Sequence, residues 1–245
     1  MKTHRLLPHI VACLAVFSMS SHAAVLLQDV ALGGVQQTVY WEGVESNGML
    51  SPGGYLSSAN PTGIPTAGVG TVAPIAPGYR ASLGYYSFTG HFGMTASTSI
   101  QGSAFSDIQS VVFQRVSMPN TTGGLTLDDN LLFDGGATLS LYSHGTLVDT
   151  IVATYAFVGS ETAEGDPNTG FPGTFYNFTY QWDLSGYTEE ITSVSVDAPI
   201  IVHSATAEAR LDISSNNAFE AVPEPSTALL GALASAFLLV RRRHS

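Results

Sequence analysis

Phe175-Tyr176-Asn177-Phe178-Thr179-Tyr180-Gln181-Trp182-Asp183-Leu184 is the stretch that sets the fold class. Its even positions are Tyr176, Phe178, Tyr180, Trp182 and Leu184, and the odd positions Asn177, Thr179, Gln181 and Asp183 are polar. Successive side chains of a strand point to opposite faces, so this alternation predicts a β-strand with one buried aromatic face and one polar face. The same period recurs outward from it. Tyr86, Phe88, Phe92 and Met94 share a face in 85–96. Ile201, His203, Ala205, Ala207, Ala209, Leu211 and Ile213 share another, with Glu208, Arg210 and Asp212 opposite. Segments 108–116, 137–143, 146–158 and 191–197 are rich in Val, Ile, Thr and aromatic residues, and clusters of Gly, Pro, Asn and Asp separate them. No segment between the termini shows sustained helical periodicity. About eight or more strands at this spacing predict an all-β fold: a single antiparallel sandwich of jelly-roll type over 24–213.

Two stretches resist that pattern. Residues 43–80 are crowded with Gly, Pro, Ser and Ala, including Ser51-Pro52-Gly53-Gly54 and Ala73-Pro74-Ile75-Ala76-Pro77-Gly78. A connection that long either hides short strands or is a surface excursion. Gly159 to Gly173 reads as an acidic loop holding Glu161, Glu164 and Asp166, and 214–221 reads as a polar linker.

The termini carry addresses. Lys2, His4 and Arg5 precede a mostly apolar run from Leu6 to Met19, and Ser21-His22-Ala23 places small residues at −3 and −1. This predicts a signal peptide over 1–23 with a helical apolar region, cut by signal peptidase between Ala23 and Ala24. Ile10-Val11-Ala12-Cys13 also fits a lipidation box, but Leu14-Ala15-Val16-Phe17 continue the apolar run past Cys13, where a lipoprotein would already be cut. At the other end, 222–245 opens with Val222-Pro223-Glu224-Pro225-Ser226-Thr227. Each proline fixes its own φ and holds the preceding residue extended, which makes a stiff peptide for a protease to grip. An apolar run from Ala228 to Val240 follows, then Arg241, Arg242 and Arg243, which favour the cytoplasmic side. As a helix, 226–240 spans roughly 22 Å at about 1.5 Å per residue. The hydrocarbon core is about 30 Å thick. Such a span must thin the bilayer or draw its arginines inward, and it suits transient insertion better than permanent anchoring.

This tripartite tail resembles the sorting segment of the PEP-CTERM proteins of Gram-negative bacteria. Val222-Pro223-Glu224-Pro225-Ser226-Thr227, the apolar run and Arg241 to Arg243 match its three parts in order, over about a tenth of the chain. The resemblance implies recognition by an exosortase, a membrane transpeptidase-like enzyme that cuts at or near the Pro-Glu-Pro. It also implies an organism that makes exopolysaccharide, biofilm or flocs. The expected route is export across the inner membrane, retention by the C-terminal helix, and delivery to the cell surface or extracellular matrix.

Composition bounds the chemistry. Cys13 is the sole cysteine, so the mature body has no disulfide, no thiolate nucleophile and no cysteine metal site. Between the two signals lie Arg80, Arg115 and Arg210 and no lysine, against 18 acids, a formal charge of −15. Such a surface repels nucleic acid and anionic lipid and tolerates divalent cations.

Asp128-Asp129-Asn130 with Asp134-Gly135-Gly136 is the densest group of oxygen ligands. It fits either a structural calcium site, which wants six to eight oxygens, or an Asp/Asn/Gly-rich turn. Its spacing is not that of an EF-hand loop. Sugar stacking has candidates in Trp182 with Tyr180 and Tyr176, in Trp41 with Tyr40, and in Tyr55 and Tyr79 of the long loop. A regular aromatic strand face reads first as core, which leaves Tyr55 and Tyr79. The neighbouring carboxylates of Asp128-Asp129 and Glu189-Glu190 do not make the opposed pair that glycoside hydrolysis needs. His91, His144 and His203 are widely spaced, and His203, on an apolar face, reads as a hydrogen-bonded core or edge histidine. No Gly-x-Ser-x-Gly elbow or phosphate loop is present.

The expected protein is therefore a non-enzymatic, exported protein with structural or adhesive work at the cell surface or in a biofilm matrix, with no cofactor beyond a structural calcium. The alternative is a carbohydrate-binding module on the producer's exopolysaccharide. A glycoside-active enzyme is the third reading.

Overall fold

Two antiparallel sheets face each other across one apolar core. A computed structural model describes residues 27–41, 68–81, 84–162, 173–216 and 221. In these residues the strands are β1 (Gln36–Trp41), β2 (Gly70–Ile75), β3 (Tyr79–Ala81), β4 (Gly84–Tyr86), β5 (Phe92–Ser99), β6 (Ser110–Met118), β7 (Thr138–Ser143), β8 (Thr146–Val152), β9 (Tyr155–Thr162), β10 (Phe175–Asp183), β11 (Ser193–Ile200) and β12 (Ala205–Ser214). One short helix, α1 (Leu127–Leu131), lies between β6 and β7. The larger sheet runs β3-β4-β12-β6-β10-β9, with β1 also on β12, and the smaller runs β2-β5-β11-β7-β8. The pairings nest: β4 with β12, β5 with β11, β6 with β10, β7 with β8.

The predicted strand 175–184 is β10, and its aromatic face points inward. Phe178, Tyr180, Trp182 and Leu184 are fully buried, with Trp41, Phe113 and Leu211 beside them and Met94, Leu139, Val194 and Val196 among the facing residues. Burying one such side chain contributes roughly 1.5–3 kcal/mol. Strand β11 alternates in burial residue by residue, with Val194, Val196, Ala198 and Ile200 inward.

The polar face of β10 departs from expectation. Asn177, Thr179 and Gln181 are at most 3% exposed. On this outer face of the larger sheet lies the segment 27–35. Gln114 Nε2 donates to the Gln28 carbonyl at 2.7 Å, the Gln28 N–H returns to Gln114 Oε1 at 2.8 Å, and Asn177 Nδ2 also donates to that oxygen at 2.7 Å. Val30 and Leu32 close on Val112, and Leu27 closes on Val116, Phe175 and Ala207. The chain thus straps its own N-terminal segment over a sheet face that a local pattern marks as solvated.

Other expectations also shift. The segment 85–96 is two strands in different sheets, and the turn between them lifts Phe88 out of the predicted face to 54% exposure. The face predicted for 201–213 starts only at Ala205, because 201–204 is a turn with His203 at φ 67. A bulge at Ala207 then turns that residue to the outer face, while Ala209, Leu211 and Ile213 stay in the main core. Segment 146–158 divides into β8 and β9, which lie in different sheets. The Gly/Pro-rich stretch contains β2 and the start of β3, and residues 42–67, with Tyr55, lie outside the described residues. So do 163–172 of the acidic loop, the signal segment with Ala23 and Ala24, and the tail with Val222, Pro223, Glu224, Pro225, Arg241, Arg242 and Arg243. Among the described residues no helix is long and apolar enough to cross a membrane.

Candidate functional site

Three connections meet at one end of the sandwich: Ser87–His91 between β4 and β5, Pro119–Ala137 between β6 and β7, and Ile201–Ser204 between β11 and β12. They carry aromatic rings to the surface. Tyr86 and Phe88 meet edge to face at 4.5 Å between centroids. His203 lies 6.1 Å from Tyr86 and 6.3 Å from Phe88, and its Nδ1 is 3.0 Å from the Tyr86 hydroxyl. The His91 ring lies 4.5 Å from Phe133. His91 Nδ1 accepts the Val202 N–H at 3.1 Å, so a neutral His91 carries its proton on Nε2. One turn therefore serves both groups: Val202 holds His91, and His203 holds Tyr86. The turn is itself tied down by the His203 N–H to the Ser87 carbonyl at 3.1 Å.

Beneath these rings is a buried polar network. Arg115, 1% exposed, has its guanidinium 4.4 Å above the Phe178 ring. Its Nη1 donates to Ser117 Oγ at 2.8 Å and its Nη2 to the Asn130 carbonyl at 3.0 Å. The Tyr180 hydroxyl donates to the Leu131 carbonyl at 2.8 Å. Asn130 and Leu131 close α1, so these bonds fill carbonyls that a helix end leaves without partners. The Asn130 amide donates to the carbonyls of Asn120 (2.9 Å) and Thr126 (2.8 Å), and its oxygen accepts the Asn120 N–H (3.2 Å) and the Ser204 hydroxyl (3.3 Å). Asn120 Nδ2 donates to the Val202 carbonyl at 2.8 Å. Ser117 Oγ and Thr206 Oγ1 are 2.8 Å apart. The network joins β6, α1, the 201–204 turn and β12. Among the described residues Arg115 meets no carboxylate, and its Nε has no partner.

The calcium candidates sit at this end but face different ways. The predicted loop Asp128-Asp129-Asn130 is the helix α1. Asp129 is its capping carboxylate: Oδ2 accepts the Thr126 N–H and hydroxyl, both at 2.7 Å, and Thr126 Oγ1 accepts the Asp129 N–H at 3.1 Å. Those bonds from Thr126, the backbone one first, hold the Asp129 carboxyl below its usual range. Asn130 points inward, while Asp128 and Asp134 are exposed, Asp134 in a tight turn at φ 51. Among the described residues no three His, Cys, Asp or Glu side chains gather as a metal site.

The stacking candidates divide similarly. Trp41, Trp182 and Tyr180 are core, and Tyr176 packs against it. Tyr79 pairs backbone to backbone with Tyr86. The rings that do reach solvent, Phe88, His91 and His203, were not marked by sequence as a set. Their signal was turn composition, with Ser87, Thr89 and Gly90 around Phe88.

At the opposite end an open groove of about 400 Å³ is lined by Ser99, Ile100, Phe105, Glu190, Thr192 and Ser193. His144, in the two-residue turn joining β7 to β8, lies 3.6 Å from Glu190. Both His144 (φ 48) and Gly145 (φ 83) are left-handed, the geometry of a tight hairpin turn. The Tyr187 hydroxyl donates to Asp149 Oδ2 at 2.6 Å. Against known proteins, no family model matches this chain, and no curated protein or solved structure is significantly similar to it.

Proposed function

We propose that the chain is an exported, non-enzymatic protein of the cell surface or biofilm matrix, trimmed by signal peptidase and by an exosortase, with a jelly-roll body. The nested pairing of β4 with β12, β5 with β11, β6 with β10 and β7 with β8 supports the jelly roll, because it is the pairing of one long hairpin rolled into two sheets. One observation carries the export reading. Both expected cuts lie outside the span of the described strands, which runs from β1 at Gln36 to β12 at Ser214. Cutting between Ala23 and Ala24 and at Val222-Pro223-Glu224-Pro225 would leave all the described strands in one product.

The test is intact mass of the full chain expressed in an exosortase-bearing Gram-negative host. The expected product starts at Ala24, ends near the Pro-Glu-Pro and is released. Replacing Pro223 and Pro225 with Ala should leave a heavier, membrane-held form. Equal mass and equal release of the two would refute the sorting reading.

A second reading, carbohydrate binding, is favoured by the ring surface of Tyr86, Phe88 and His203. It is compatible with the first, because a matrix protein holds its place by what it binds.

A further inference from the structure

We infer that the end of the sandwich carrying Tyr86, Phe88, His203, His91 and Phe133 binds a neutral polysaccharide, and that this end faces away from the point where the chain leaves for its tail; the inference rests on the carbohydrate-binding reading above. A pyranose presents a face of C–H groups and a rim of hydroxyls. Its receptor needs an apolar plane with hydrogen-bonding groups at the edge. Phe88 supplies the plane, 54% exposed and flanked by Tyr86 and His203. A ring already held in place loses little freedom when a ligand settles on it. The edge is supplied by histidine. His203 turns Nδ1 to the Tyr86 hydroxyl and His91 turns Nδ1 to the Val202 N–H, which leaves the Nε2 of each exposed ring for a sugar hydroxyl.

Two observations narrow the ligand. The second ring pair, His91 with Phe133, is fixed by the same turn, 201–204, that positions His203. Two ring groups at one turn suit consecutive sugars of a polymer better than a single free sugar. The acidic balance of the body disfavours an anionic polymer: Asp128 and Asp134 are exposed on the adjoining connection, and of the two arginines whose side chains are described, Arg115 is buried and Arg210 is bound to Asp29 and Asp212. The buried network beneath stiffens the site, since Asn120 and Ser204 bind Asn130 and hold the 201–204 turn to α1.

Strand direction sets the display. β12 runs from Ala205, beside the rings, to Ser214 at the groove end. At about 3.3 Å per residue that strand separates the two ends by roughly 30 Å. Until the tail is cut, a body held through it would carry the rings at the end away from Ser214, where β12 closes.

The experiment is affinity electrophoresis of the secreted, processed protein through gels containing laminarin, dextran, galactomannan or alginate. The expected result is retardation by at least one neutral polymer and none by alginate. Phe88→Ala should weaken that retention about tenfold or more, as the loss of one stacked ring implies. His203→Asn, which tolerates the left-handed backbone, should weaken it several-fold without disturbing the turn. Glu190→Gln, at the far end, should leave it unchanged. A neutral polymer held equally by wild type, Phe88→Ala and His203→Asn would overturn the site while sparing the carbohydrate reading. Loss of retention in Glu190→Gln alone would move the site to the groove. Retention by alginate alone would overturn the neutral class, and no retention by any polymer would overturn the carbohydrate reading together with this site.

Discussion

The two ends of the sandwich are built in different ways. The ring-bearing end rests on polar groups sealed in the protein: Arg115, Ser117, Asn120, Asn130, Ser204 and Thr206 are all buried and bonded to one another or to backbone. The groove end is held by partly buried and surface contacts: Asp107 to the Ile191 N–H is partly buried, while His144 beside Glu190 and Tyr187 to Asp149 are exposed. Buried polar groups are costly when they lose partners, and apart from Arg115 Nε this network holds them, so the first arrangement admits few alternative geometries. Surface bonds compete with water and fix little. The comparison teaches where rigidity has been placed, and it is beneath the rings.

Arg115 is the point at which that contrast breaks most easily. Arg115→Ala removes charged hydrogen bonds to Ser117 and Asn130 and leaves a hole beside Phe178, and should cost about 4 kcal/mol in urea unfolding. Arg115→Met keeps most of the volume and abandons the buried charge, so it should cost less than half as much. A loss below about 1 kcal/mol for Arg115→Ala would show that the network adds nothing to the end it underlies. Gly84→Ala tests the same end through the backbone. Gly84 has φ 92, and a Cβ there would stand 1.9 Å from the carbonyl oxygen of Thr206. Strain and displacement together should cost about 3 kcal/mol, measured the same way. At the groove end Asp107→Ala strips the Ile191 N–H of its acceptor. It should cost about 1.5 kcal/mol, the scale of one partly buried hydrogen bond. A larger loss there than for Arg115→Ala would reverse the comparison.

The sequence reveals the fold best where burial and local period agree. The aromatic face of β10 and the alternation of β11 are legible because Phe178, Tyr180 and Trp182 of one and Val194, Val196, Ala198 and Ile200 of the other are buried in the core between the sheets. The outer face of β10 is not, because what covers it is 27–35, far away in the chain. Phe88 misleads for another reason. It fits a period of two with Tyr86, Phe92 and Met94, yet Ser87 to His91 form the crossing between sheets, where period has no meaning. Asp128 to Asn130 are hidden as a helix because α1 has too few residues to show a repeat, although Thr126 and Asp129 carry the spacing of a cap. The candidate site is the least legible of all. Its turns lie at 87–91, 119–137 and 201–204, and only the nesting of strands brings them together.

The smallest expected effect belongs to the pair of Asp149 and Tyr187, and it tests the surface character of the groove end. The hydrogen bond to Asp149, then burial, then the charges of Asp149 and Glu189 push the Tyr187 phenol up to about 12. The same bond, followed by the Thr150 N–H, holds the Asp149 carboxyl below its usual value. Tyr187 binds its proton more tightly when folded, so its contribution to stability is whole below the unfolded value of about 10 and fades as pH rises through the folded value. Asp149 runs the other way: its contribution is whole above its unfolded value and fades as pH falls through the depressed one. Between those limits the pair gives a flat profile. Asp149→Asn should therefore return the Tyr187 titration toward its ordinary value, read as the phenolate absorbance that Tyr187→Phe removes, while unfolding near neutral pH loses only the small contribution of one surface bond. Glu189→Gln should move the titration less, because Glu189 acts only through charge and is the last of the causes. An unchanged Tyr187 titration in Asp149→Asn would mean that this bond does not hold in solution, and the groove end would then be looser than the contrast with the Arg115 end already makes it.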